Sequence, residues 1–204
     1  MHKNTKGFAP VAIIGLVILI LAAIGGIGYY LLIQKKPQQE NSQSQPQSQS
    51  QNNNPYVGDE FTFIPPAGWI RIEIPSTLVA YQNTKEVQPK DSAAEKVHFK
   101  SYLAVSFDNA NGQKLGEISA LVKEQIKASA PAISFTYETK GKIDGQDAQY
   151  AEGDLLMQNI NFKVIVITVL KGDKYFTISC NTTAEKWPEY RDIFYNTAES
   201  FKFK

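Results

Sequence analysis

One cysteine, Cys180, stands in 204 residues. No intrachain disulfide framework and no multi-cysteine zinc or iron–sulfur site can be built from it. Histidine is nearly as scarce. Of the two present, His2 lies near the N-terminus and only His98 falls in the body of the chain, which excludes histidine-rich metal chemistry. Charge of one sign is also missing. Lysine and arginine number 21 against 20 aspartates and glutamates, a net charge of +1, and this balance argues against nucleic acid as a partner. No phosphate-cradling glycine loop, nucleophile elbow or zinc motif occurs. Disorder throughout is excluded as well, because 43% hydrophobic and 20% charged residues is the composition of a folded protein.

What the chain does have is a long apolar run. Residues Val11–Ile33 read VAIIGLVILILAAIGGIGYYLLI without a charge. As a helix these residues span roughly 35 Å, enough to cross a bilayer core of about 30 Å with some tilt. The run is apolar all round, unlike the one-sided helix of a soluble core, and Tyr29 and Tyr30 fall where aromatic rings favour the interface. Residues 1–10 are then a short basic N-terminal segment and 11–33 a transmembrane signal-anchor helix. Ala23 and Gly25 offer a small-x-small cleavage site, but the run exceeds the apolar core of a cleavable signal, about 7–15 residues. No nearby cysteine allows a lipid anchor. Lys3 and Lys6 before the span are matched by Lys35 and Lys36 after it. The short basic N-terminus favours an N-in orientation only slightly, which places the C-terminal part outside the cytoplasm. Lys6-Gly7-Phe8 resembles the start of type IV pilin precursors. Their diagnostic glutamate position is Ala12 here, and Pro10 interrupts the pattern.

Composition changes again after the span. Residues 36–55 hold seven Gln, four Ser, four Asn and three Pro, with Lys36 and Glu40 the only charges. Such a segment has no apolar side chains to bury and cannot offset its ordering entropy. Residues 34–55 are therefore expected to be a flexible tether with a reach of roughly 25 Å.

Residues 56–204 are long enough for a core. With Lys3, Lys6, Lys35, Lys36 and Glu40 set aside, 17 basic residues face 19 acidic ones. Alternation of apolar and polar residues predicts strands. Phe61 and Phe63 form one such run before Pro65-Pro66. Ile70, Ile72 and Ile74 form another. Phe99, Leu103, Val105 and Phe107, with Ser101 among them, are expected on one face of a third. Ile133, Phe135 and Tyr137 should share a face of a fourth. The segment Phe162–Lys171 is apolar on both sides: Phe162, Val164, Val166 and Leu170 on one, Ile165, Ile167 and Val169 on the other. A strand of that kind must be covered on both faces. Asp144-Gly145 predicts a hairpin between 133–143 and 147–157. Lys171-Gly172-Asp173-Lys174 predicts another, into Tyr175–Cys180. Ile118, Leu121, Val122 and Ile126 have helical spacing, and Trp187, Tyr190, Phe194 and Phe201 form a second stripe. Thr182 and Glu185 have capping-box spacing, but Pro188 suits the first position of that helix. The fold expected is α+β: an α-β-α sandwich around a central antiparallel sheet of about seven strands, preceded by the transmembrane helix and the disordered linker.

The run Phe61-Thr62-Phe63-Ile64-Pro65-Pro66-Ala67-Gly68-Trp69 resembles the F-x-F-x-x-P-x-G-W opening of PsbP-like domains. Thr197-Ala198-Glu199-Ser200-Phe201 resembles their closing Ser-Phe after a terminal helix. The resemblance covers about residues 56–204. It implies the α-β-α sandwich and a non-catalytic binding or assembly module, secreted or membrane-anchored in bacterial relatives. The family's named member is the extrinsic lumenal subunit of photosystem II. The anchor and Gln-rich tether depart from that subunit, so a photosystem role is not implied.

Candidate sites are few. Cys180 shares a face with Phe176 and Ile178 and reads as a small buried hydrophobe; a nucleophile would need a base in reach, and His98 is the only histidine to offer one. Trp69 reads as core closure rather than a ligand platform. Asp108-Asn109-Ala110-Asn111-Gly112 has Ala110 where a calcium loop needs an oxygen and reads as a strand-to-helix turn. Asp144, Asp147, Glu152 and Asp154 could gather around a cation, with solvated charge as the default. Asn181-Thr182-Thr183 matches a glycosylation acceptor. The expectation is no catalytic, cofactor or metal residue. The partners expected are the lipid bilayer through residues 11–33 and an envelope protein, with no nucleic acid. The alternatives are a tethered enzyme using carboxylates or Cys180, and a pilin-like structural subunit.

Overall fold

The computed structural model describes residues 54–204. The apolar run 11–33 and nearly all of the 34–55 tether lie outside the described residues, as does the pilin-like start. Among the described residues no helix is long and apolar enough to cross a membrane.

The elements run β1 (Tyr56–Val57), β2 (Phe61–Phe63), β3 (Ile70–Ile72), β4 (Val79–Gln82), α1 (Ala93–Lys96), β5 (Tyr102–Asn109), α2 (Leu115–Ser129), β6 (Ser134–Ile143), β7 (Gln146–Met157), β8 (Ile160–Lys171), β9 (Lys174–Thr183), α3 (Trp187–Glu199) and β10 (Lys202–Phe203). Seven strands form one antiparallel sheet in the order β3-β4-β5-β9-β8-β7-β6. Three short strands form a second sheet, β1-β2-β10. The expected count of seven agrees with the main sheet, but its membership differs. Phe61–Phe63 belongs to the small sheet, and Val79–Gln82, too short to show an alternation, takes the vacant place.

The two-faced strand β8 organises the core. Phe162, Val164 and Val166 pack with Ile118, Val122 and Ile126 of α2. Ile165, Ile167 and Val169 pack with Tyr190, Phe194 and Ala198 of α3. One helix therefore covers each face of the sheet. On α2, Leu121 is 37% exposed and Ser119 takes an inward position. The helical stripe is narrower than its sequence spacing suggests.

Two further expectations are corrected. Phe99 does not share a face with Leu103 and Val105. The strand begins only at Tyr102, so Phe99 sits in the preceding loop and meets Phe162 on the α2 side, ring centroids 5.0 Å apart. Leu103 and Val105 pack on the α3 side. Tyr137 does not follow Ile133 and Phe135, because the register of β6 against β7 shifts between Phe135 and Tyr137. A bulge turns every later side chain over. Phe135 stays under α2, facing Gly153, while Tyr137 pairs with Glu152 on the α3 side.

Three tight hairpins link β6 to β9. Asp144 and Gly145 have φ of 50° and 78°, the signature of a type I′ turn. Gly172 supplies the positive φ of the turn into β9. The third turn, Gln158-Asn159, has φ of 52° and 61° without a glycine. Pro188 falls in the first turn of α3, whose N-cap is Lys186. Thr182 is not part of a capping box: it lies in β9, and its hydroxyl forms a 2.8 Å hydrogen bond with that of Ser101.

The small sheet closes the α3-side core. Phe201, just past α3, stacks on Phe63 at 4.6 Å and on Phe61 at 5.1 Å. Asp144 fastens the β6–β7 hairpin to β10: its carboxylate accepts from Phe203 N at 2.9 Å and Lys202 Nζ at 3.2 Å.

Phe201→Ala is expected to cost about 3–5 kcal/mol in chemical denaturation, the usual loss for a buried phenylalanine. Asp144 gives a pH prediction. The Phe203 amide, then Lys202, hold its carboxyl below the ordinary 3.8. A depressed folded value stabilises above the unfolded one and is lost as pH falls through the folded one. Asp144→Asn, which tolerates the positive φ, is expected to be less stable than the parent at neutral pH. The gap should close as pH drops below about 3.8, read from a denaturation series across pH.

Candidate functional site

The sheet is wider than the helix that covers it, and at the β6–β7 edge α3 gives way to polar side chains. Glu152 of β7 is only 8% exposed. Its Oε1 accepts from Arg191 Nη2 at 3.0 Å and from Tyr195 Oη at 2.6 Å, both on α3. The Arg191 guanidinium lies 4.9 Å from the centre of the Tyr195 ring, a cation–π distance. Tyr195 stacks on Tyr150 at 5.9 Å. Tyr137, turned to this side by the bulge, is 48% exposed. Burial, then the hydrogen bond to Glu152, push the Tyr195 phenol above its ordinary value. It is therefore a donor to the carboxylate at neutral pH. Removing Arg191 would leave a buried charge without a cation, which is costly. The arrangement presents a pre-organised arginine and two tyrosines at the surface, the residue types that dominate binding energy at protein interfaces.

A second polar group lies at the opposite end. Glu86 is buried. Its carboxylate accepts from the Ser101 amide and, at 2.8 Å, from Ser101 Oγ. Beside it, Tyr190 Oη accepts from Asn83 Nδ2 at 2.8 Å. Burial, then the Glu86 charge, push the Tyr190 phenol up to about 12. These groups pin the 83–101 loop to the sheet and are structural. A shallow cleft of about 190 Å³ opens nearby, lined by Gln88, Ser92, Asn159, Asn161, Thr183 and Glu185 among others. It is smaller than the usual small-molecule site of about 300–1,000 Å³.

The sequence candidates scatter. Cys180 is buried among the α3-side core residues, and burial alone pushes its thiol far up. His98 is exposed in the turn after α1, with φ of 53°. The two do not form a pair. Asp144, Asp147, Glu152 and Asp154 do not gather. They bond separately to Lys202, Lys142, Arg191 and Lys163, and no group of three or more acidic, His or Cys side chains among the described residues could hold a metal. Ala110 is buried and its amide donates to Asp173 O, so 108–112 is a strand-to-helix turn. Asn181 is 4% exposed inside β9, beyond reach of glycosylation in the folded chain. Trp69 closes the core, edge-on to Tyr190 and Phe194 at 5.8 and 5.9 Å. The Glu152 cluster was missed, because its members lie 39 and 43 residues apart and only the docking of α3 joins them.

A family-level comparison matches residues 51–203 to PsbP. The chain belongs to the PsbP family. The match covers both ends of the fold, from the Phe61–Trp69 opening to Phe201. The PsbP fold is also seen in solved structures. Cyanobacterial PsbP (CyanoP) from Synechocystis sp. PCC 6803 superposes with a TM-score of 0.56 at 16% identity, over 79% of this chain and 98% of that one. LpqN, involved in cell envelope biogenesis of Mycobacterium tuberculosis, superposes with a TM-score of 0.58 at 10% identity, over 74% and 90%. At such identities the likeness is one of fold. No curated protein matches the chain in sequence.

In this PsbP domain Cys180 is expected to resist a thiol reagent in the native state and to react in full once the chain is denatured. The time course of labelling with and without denaturant reads this directly.

Proposed function

We propose that this chain is a single-pass membrane protein whose PsbP domain stands outside the cytoplasm on the 34–55 tether. There it acts as a non-catalytic binding or assembly module for a protein of the cell envelope. The uncharged run 11–33 supports the anchor by its length. Family membership supports an accessory role over an enzymatic one. The observation that carries the binding reading is the surface formed by Tyr137, Arg191 and Tyr195 over the buried Glu152. Arg191 and Tyr195 are held on Glu152 before any partner arrives, so little of their entropy is lost on binding. An enzyme built on the same groups lacks a free base or nucleophile there, since Glu152 already accepts from two donors.

The test is crosslinking of the full-length protein in its native membrane. One envelope protein is expected to dominate the capture and to disappear when residues 1–35 are removed. Tyr137→Ala, at an exposed position that the fold does not need, and Arg191→Lys, which keeps a cation for Glu152, should each weaken capture on the order of tenfold. Recovery of abundant bystanders alone, unchanged by either substitution, would overturn the reading.

A further inference from the structure

Strand β6 ends the main sheet, and among the described residues it pairs only with β7. It is ten residues long, whereas the opposite edge, β3, has three. A long free edge offers its amide and carbonyl groups to another strand. Which residues offer them follows from the hairpin. Ile143 and Gln146 flank the two-residue turn and so bond to each other. Counting back by twos, Gly141, Thr139 and Tyr137 turn their backbone groups towards β7. Lys142, Lys140 and Glu138 turn theirs outward.

An antiparallel neighbour must meet these outward groups with outward groups of its own. For a second copy of the same strand this leaves a small set of registers, and charge separates them. Shifted one way, Glu138 faces Glu138. Shifted the other way, Lys140 faces Lys140. Between the two, Glu138 faces Lys140 on both sides of the two-fold axis, Lys142 faces Thr136, and Thr139 faces itself on the axis. Among the registers that set Glu138, Lys140 or Lys142 opposite one another, this alone has no like-charge pair. It also sets the half-exposed Tyr137 across from Gly141, over which the Tyr150 ring of the same copy already lies. Glu138 already holds Lys123 of α2 at 2.6 Å, so its carboxylate would lie between two lysines.

We propose that two copies of this chain join edge to edge through β6, with Glu138 of each opposite Lys140 of the other and Thr139 on the two-fold axis. The sheet then runs through both copies, and the axis, perpendicular to it, places both α3 faces on one side. The charged residues of β6, Glu138 in one neighbouring register and the lysines in the others, act as guards there and as partners in this one. The proposal does not rest on the envelope-partner reading, since the second copy is the partner.

The experiment uses the full chain in its membrane. Opposed residues in the non-bonded position of an antiparallel pair lie about 4.5 Å apart at Cα, within disulfide range. Thr139→Cys is expected to give a disulfide-linked dimer on mild oxidation. Thr136→Cys, displaced from its own copy by six residues, is expected to give none, and so is the parent, whose Cys180 is buried. Adding Lys140→Glu to Thr139→Cys should cut the linked fraction on the order of fivefold, because each copy then sets two carboxylates opposite each other. Adding Glu138→Lys as well should restore it. A Thr139→Cys chain that stays monomeric overturns the proposal. So does linkage at position 136 equal to that at 139, or linkage indifferent to the charge exchange.

Discussion

Strand β8 buries Phe162, Val164 and Val166 beneath α2 and Ile165, Ile167 and Val169 beneath α3, and the rest of the domain is arranged around this double burial. A strand apolar on both faces cannot sit at the surface of a sheet or at its edge. It needs a bonded neighbour on each side and a layer above and below. Strands β7 and β9 supply the neighbours through two-residue turns, so the three longest pairings are local in sequence. The helices supply the layers. Each comes from a different part of the chain, α2 from before the hairpins and α3 from after them.

The second dependence is the closure of the chain ends. Phe61 and Phe63 from the opening and Phe201 from the close form one stack, and β2 and β10 pair beside it. The family's two short motifs are the two halves of this contact. Their role is to cap the α3-side core, where the helix alone leaves apolar strand exposed. Trp69 completes the cap against Tyr190 and Phe194. The motifs are therefore informative about fold and silent about ligand, since every aromatic in them is spent on packing.

Much of the fold was legible because the responsible signals are local. The split of 162–170 into two apolar faces is a period-two pattern, and Asp144-Gly145 is a turn with a chemical reason. What failed were features set by tertiary context. Val79–Gln82 is too short for alternation to show. Phe99 obeys the parity of β5 but lies outside it. Tyr137 obeys the parity of Phe135 but the bulge intervenes, and no residue at 135–137 announces one. Gln158-Asn159 adopts positive φ without glycine, a conformation that asparagine tolerates without requiring it. The Glu152 cluster had no sequence signal at all. It joins residues whose proximity depends on the hairpin register and on α3 docking together.

The same geometry explains why the features with binding potential lie at one edge. A seven-stranded sheet is wider than one helix can cover. The side chains beyond α3 must then be polar or amphipathic, because they meet water. Glu152 stands where core gives way to surface, and its burial is tolerable only because Arg191 and Tyr195 reach back from the helix. That requirement leaves the guanidinium and the phenol ring held at the rim, ordered by a need of the fold rather than by a ligand. The bulge then adds Tyr137 on the same side, next to the long edge strand β6, which among the described residues pairs only with β7. A surface built in this way is rigid before it binds anything. On the proposed binding role, stability and recognition would draw on the same three residues, so a substitution that breaks the Glu152 contacts would change both. Only substitutions that spare them, such as those at Tyr137, separate one from the other.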